Sequence, residues 1–122
     1  MEKYFLSYDL ASEIEKLGFN ESCLGRWVIV TEWENPTGEI IFQLGREKDN
    51  NNTTRFQYIA PLYQQVIDWF EKEHNIFIGR TCYDDGKTPK RWVYHVDSYY
   101  VQEQFYDGAI RYAIDKIKNT QL

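Results

Sequence analysis

Leu10, Ile14 and Leu17 recur at helical spacing early in the chain, and Gly18 follows where such a helix would stop. The pattern predicts a helix over residues 8–18, with Asp9 as its N-cap and Phe19 folded back on the apolar stripe. Two strand-like runs come next, Arg26 to Trp33 and Gly38 to Leu44, separated by the turn residues Glu34-Asn35-Pro36-Thr37. An antiparallel hairpin is the natural reading. Ile40, Phe42 and Leu44 alternate with Glu39 and Gln43, which assigns the second strand a buried face. The first strand does not alternate cleanly, because Val28 and Val30 fall on one face while Trp27, Ile29 and Trp33 fall on the other. Either both faces are covered, or one presents an aromatic patch.

Residues 45–53 are the most polar stretch and read as a loop, followed by a short strand from about Thr54 to Ile59. Pro61 suits the first turn of a helix. Leu62, Val66, Trp69 and Phe70 then form an amphipathic stripe that predicts a helix over residues 61–74. A second hairpin follows, Ile76 to Tyr83 and Arg91 to Asp97. If Tyr83 pairs with Arg91, one face collects Ile76, Ile78, Cys82, Trp92, Tyr94 and Val96, the expected core, and the other holds Phe77, Gly79, Thr81, Val93 and His95. Tyr106, Ile110, Ala113 and Ile117 predict a closing helix over residues 104–118. The expected fold class is α+β, an antiparallel or mixed sheet of about five strands packed with three helices in the order α-β-β-β-α-β-β-α. A chain of 122 residues is read as a single domain, 1–122.

Composition adds three constraints. Charged residues at 27% and hydrophobic residues at 43% are the balance of a folded protein. Neither an apolar leader nor a run of about 20 apolar residues is present, and the two cysteines, Cys23 and Cys82, form no CxxC pair. A soluble cytoplasmic protein in a reducing compartment, with no membrane association, is the expectation. The net charge of −5 argues against duplex nucleic acid, which is held through basic stripes. Lys87, Lys90 and Arg91 are the nearest approach to one, but Asp84 and Asp85 precede them and the group reads as a solvated turn.

Candidate chemistry is sparse. The seven glycines form no phosphate-binding loop, and no nucleophile-elbow pattern accompanies the two histidines. Cys23, His74, Cys82 and His95 are the residue types zinc takes, but none are paired at ligand spacing. No catalytic residue, metal site or cofactor is therefore assigned. The remaining signal is the aromatic content of 17%, with Trp27, Ile29, Trp33 and Ile41 as candidate interface residues on the face of the first hairpin away from the core.

The run from Ala60-Pro61-Leu62 through Val66-Ile67-Asp68-Trp69-Phe70 to His74-Asn75-Ile76-Phe77-Ile78 resembles a small family of uncharacterised proteins from phages and integrated mobile elements of Bacteroides-like bacteria. Their shared pattern is an Ala-Pro start, a helix ending near Trp-Leu/Phe and a strand of the form Ile-x-Ile. Leu17-Gly18-Phe19-Asn20-Glu21 and Tyr106-Asp107-Gly108-Ala109-Ile110 are similar to the same family, whereas the Asn-rich stretch and the Lys87–Arg91 turn have no counterpart in it. The resemblance implies an origin and a fold and carries no activity.

The functional expectation is a noncatalytic accessory or protein-interaction module of prophage or mobile-element origin, acting through a protein partner or as a homo-oligomer. A small-ligand-binding domain or enzyme with a nonlocal site is the alternative. A second alternative is single-stranded nucleic-acid binding through sheet aromatics, which needs less basic charge than duplex binding.

Overall fold

A computed structural model describes residues 2–33, 35–44, 57–101 and 105–120. The loop expected at 45–53 and the start of the strand expected at 54 lie outside the described residues. The chain divides into two compact units, Met1–Tyr63 and Gln64–Leu122. Among the described residues the fold is α+β, with three α-helices and two antiparallel sheets of three strands each. The expectation of one sheet with about five strands is corrected on both counts. Sheet membership is set by long-range pairing, which local hydrophobic alternation does not encode.

In the first unit a short 3-10 turn, Glu2–Tyr4, precedes α1, Tyr8–Lys16. Ser7, not Asp9, is the N-cap, since its hydroxyl accepts the Leu10 amide at 3.4 Å. Gly18, at φ +107°, ends the helix as expected, and Phe19 folds back to donate its amide to the Ile14 carbonyl at 3.1 Å. Leu10, Ala11 and Ile14 are the buried face of α1, which packs against β3. The sheet runs β2-β1-β3, with β1 Gly25–Glu32, β2 Asn35–Leu44 and β3 Gln57–Ala60. Its N-terminal side is closed by the Leu6 amide on the Pro61 carbonyl at 2.8 Å and by a bridge between Phe5 and Leu62.

In the second unit α2, Tyr63–His74, buries Val66, Ile67, Trp69 and Phe70. The sheet runs β4-β5-β6, with β4 Ile78–Tyr83, β5 Arg91–Val96 and β6 Tyr99–Val101. Tyr83 pairs with Arg91, the expected register, and Ile78, Tyr94 and Val96 are buried on the face that α3, Tyr106–Thr120, covers. Ala109, Ile110, Ala113, Ile114 and Ile117 form the buried stripe of α3, and Tyr112 stacks on Tyr99 with ring centroids 4.5 Å apart and planes 8° from parallel.

Strand β6 has no counterpart in the expected order of elements. It follows β5 through the two-residue connection Asp97-Ser98, with Asp97 at φ 51°. Aspartate tolerates this left-handed conformation better than most residues. Its carboxylate also accepts the Phe77 amide at 3.0 Å and the Lys116 ammonium at 2.8 Å, tying the turn to the start of β4 and to α3. The Lys116 hydrogen bond first, and the Phe77 amide second, hold the Asp97 carboxyl below its ordinary range, while the same pair raises Lys116.

A depressed carboxylate pKa stabilises the fold above the unfolded value, about 4, and loses that contribution as pH falls through the folded value. The raised Lys116 reflects the same interaction from the other side, present at neutral pH and lost only above about pH 10.5. Asp97→Asn keeps the turn geometry and removes the charge. Because the pair is partly exposed, the variant is expected to be less stable by a few tenths to about 1 kcal/mol between pH 5 and 9. Urea titrations at stepped pH check this, and the gap to the parent should close below about pH 4.

Candidate functional site

The first surface to test is the β1–β2 hairpin. Its register pairs Trp27 with Phe42, Val28 with Ile41 and Ile29 with Ile40. Paired residues in an antiparallel ladder project to the same face, so Trp27 and Ile29 share a face with Ile40 and Phe42, while Ile41 joins Val28 on the other. The quartet Trp27, Ile29, Trp33 and Ile41 is therefore not one patch. Trp27 is half-buried, its indole N–H donating to the Leu6 carbonyl at 2.9 Å and its ring set edge-on to Phe42 at 5.4 Å. Phe42 in turn meets Phe5 at 4.7 Å. The Trp27 face, expected to lie away from the core, thus takes part in packing, and the opposite face does so at Ile59, which pairs with Arg26 and is buried.

Trp33 has a different place altogether. The turn comes earlier than the Asn-Pro-Thr sequence suggests, because Glu32 pairs with Asn35 and Thr31 with Pro36. This leaves Trp33 in the connection itself, at φ 54° and 90% exposed. Pro36 is accommodated in β2 because that strand is at an edge of the sheet, where a missing N–H is tolerated. The ladder is irregular between Ile29 and Thr31 on β1, and Thr37 there donates its hydroxyl to the Val30 carbonyl at 3.0 Å.

Of the residues expected to bury one face of β2, only Phe42 is sheltered, whereas Ile40 and Leu44 are exposed. Ile41, at 36%, is exposed on the opposite face. Among the described residues no strand pairs with the outer side of β2, a ten-residue edge carrying Ile40, Ile41 and Leu44.

A second surface lies on the face of β4-β5-β6 opposite α3. Register places Gly79 across from His95 and His95 across from Tyr100, with Thr81 opposite Val93. Gly79 matters because a Cβ there would stand 2.9 Å from His95 Nε2, so its absence lets the imidazole lie across β4. His95 Nδ1 is 3.2 Å from the Asp97 carbonyl oxygen, a hydrogen bond that requires the proton on Nδ1 and leaves Nε2 an acceptor in the neutral ring. Tyr100 is 63% exposed and sits edge-on to His95 at 6.2 Å. The Arg91 guanidinium lies 4.3 Å from the centre of the Tyr83 ring. A shallow depression of about 440 Å³ runs along this face, lined by Thr81, Cys82, Tyr83, Arg91, Val93 and Tyr100.

The 84–90 turn beside it is self-contained. Asp85 accepts the Lys87 and Thr88 amides, both at 2.8 Å, and the Thr88 amide foremost holds its carboxyl low. Asp84 accepts the Gly86 amide at 3.0 Å and lies 3.9 Å from the Lys90 ammonium.

His74 ends α2 with its ring 4.7 Å from Trp69 and edge-on to it. Cys82 and His95 project to opposite faces of the second sheet, and Cys23 and Cys82 form no disulfide. Among the described residues no three His, Cys, Asp or Glu side chains gather into a metal-binding group, and no helix is long and apolar enough to cross a membrane.

Tyr100 is the residue of this face that sequence reasoning misses, because it stands on β6. The available signal is the Asp-Ser pair followed by the β-prone triplet Tyr99-Tyr100-Val101.

No known protein family, curated protein or solved structure matches the chain. The resemblance of residues 60–78 to a mobile-element family thus gains no support from relatives.

Proposed function

We propose that the protein is a noncatalytic interaction module whose β1–β2 hairpin receives an extended, basic segment of another protein, which adds to the outer edge of β2. The observation that carries this reading is Trp33. A bulky residue at φ 54° costs about 1–2 kcal/mol relative to glycine or asparagine, and here that strain presents an indole to solvent. Strain at an exposed aromatic is better accounted for by binding than by folding, since the ring contributes little to packing.

The ten-residue edge supplies the second support. An open edge offers a row of backbone donors and acceptors to an incoming strand, and Ile40 and Ile41 offer one apolar contact on each face. Charge selects the kind of partner. Ten carboxylates against six lysines and arginines fall in Met1–Tyr63, and Glu32 and Glu39 are exposed on the hairpin. A second copy would bring like charges together, whereas a segment carrying lysine or arginine would not. Origin in a phage or mobile element rests on the sequence resemblance alone.

The test is selection of random 12-residue peptides displayed on phage against the immobilised full chain. Enriched peptides should alternate apolar residues with Lys or Arg, and should bind an Ile40→Lys variant at least tenfold more weakly. Failure to enrich any peptide, or peptides indifferent to Ile40→Lys, would sink the reading. So would a dimer at micromolar concentration in sedimentation, which would make a second copy the occupant.

A further inference from the structure

The exposed face of the second sheet carries groups that the hairpin reading leaves unused. From its chemistry we infer that it binds single-stranded nucleic acid, stacking bases on its rings and meeting a phosphate with Arg91. Three rings stand on three adjacent strands, Tyr83 on β4, His95 on β5 and Tyr100 on β6, and the opposite face is the one that α3 covers. Rings spaced across a sheet in this way suit successive unstacked bases, because every base has a π-face and strand flexibility lets each find its partner. Tyr100 is the most exposed of the three rings, and Gly79 keeps the floor beside His95 low.

Charge is closer to balance in the unit that carries this surface than in the other. The chain carries −5 overall, but Gln64–Leu122 holds eight lysines and arginines against nine carboxylates, so most of the acid surplus lies in the other unit. At the edge of the face, Asp84 and Asp85 direct their carboxylates into the amides of their own turn. Arg91 pairs with no carboxylate among the described residues. Its guanidinium rests on Tyr83 and makes a 3.4 Å bond to the Thr88 hydroxyl. It is thus available to a phosphate beside the stacked bases. Duplex DNA would need a broader basic stripe than this and buries its base faces, so a single strand is the occupant that fits.

The experiment is fluorescence anisotropy of a labelled 12-nucleotide oligothymidylate with the full chain at 50 mM salt. Parallel titrations use the same strand in duplex with oligoadenylate and use thymidine monophosphate as competitor. The single strand is expected to bind at least tenfold more tightly than the duplex, and the mononucleotide should compete only at far higher concentration. Tyr100→Ala should weaken single-strand binding by roughly 5- to 100-fold while Tyr100→Phe preserves it, as loss of a stacking ring predicts. Arg91→Ala should lower the slope of log affinity against log salt by about 1. Trp33→Gly should leave all of these values unchanged. Absence of binding at 100 μM protein, or equal affinity of Tyr100→Ala and parent, would overturn the proposal. So would competition by the mononucleotide at parity with the strand, which would make the face a nucleotide site instead.

Discussion

Trp33→Gly is expected to make the protein more stable and a poorer binder at once. The two effects have separate causes. At φ 54° glycine removes a steric cost of about 1–2 kcal/mol, part of which is returned because glycine also gives the unfolded chain more freedom. With the indole 90% exposed there is little packing to lose, so a net gain of up to about 1 kcal/mol should appear in urea denaturation. Trp33→Asn, which tolerates the same backbone and keeps a side chain, should gain similarly. Both variants should bind partner peptide at least about 30-fold more weakly, the loss of roughly 2 kcal/mol or more that marks an aromatic anchor. A residue kept for folding would show the reverse, with stability falling and binding unaffected.

Phe70→Ala should be the most damaging of these substitutions. Phe70 is fully buried on α2, in contact with Trp69 at a ring separation of 5.0 Å, and its carbonyl accepts the Ile76 amide that leads the chain toward β4. Truncating a buried phenylalanine removes its transfer free energy and leaves a cavity, together costing about 3–5 kcal/mol. That is a large part of the stability of an ordinary small domain, about 5–15 kcal/mol. Phe77, seven residues on and half exposed, supplies the comparison. Alanine there should cost about 1 kcal/mol or less. Circular dichroism followed through a urea titration measures both. Equal effects at the two positions would mean that the burial assigned to α2 is wrong.

Periodicity alone makes the helices and the β4–β5 ladder legible in the sequence. The stripe Val66-Trp69-Phe70 and the stripe Ile110-Ala113-Ile117 are buried as their spacing implies, and alternation with the Tyr83–Arg91 pairing separates the two faces of the second sheet. Of the expected core, however, Cys82 and Trp92 prove exposed, because they stand at the end of the ladder next to the 84–90 turn. What is not legible depends on pairing partners. The Glu34-Asn35-Pro36-Thr37 run looks like the turn, yet Asn35 and Pro36 pair with Glu32 and Thr31 and push the connection onto Trp33. That shift places Trp33 at the tip, and the cross-strand register sets Ile41 on the face opposite Trp27. Strand β6 escapes because three residues after a two-residue turn carry too little pattern to stand out. The N-cap moves from Asp9 to Ser7 because either residue type can cap, and only the backbone decides which one is at the boundary.

The same distinction governs the binding surfaces. Aromatic excess points to an interface but not to its location. Alternation within each strand groups Trp27, Ile29, Trp33 and Ile41 as one patch, and register divides them between two faces and a turn. Alternation places Thr81, Val93 and His95 together correctly, while their neighbour Tyr100 depends on the third strand.

The most direct measurement is amide hydrogen exchange of the full chain with and without a peptide selected on it, read residue by residue along Asn35–Leu44. Addition of a strand to β2 predicts that alternate amides of this segment, those directed away from β1, slow by at least tenfold, while β4, β5 and β6 exchange as before. The protection should disappear in Trp33→Gly at the same peptide concentration. Unchanged exchange along β2 in the presence of saturating peptide, or protection confined to the second sheet, would contradict the hairpin as the site of interaction.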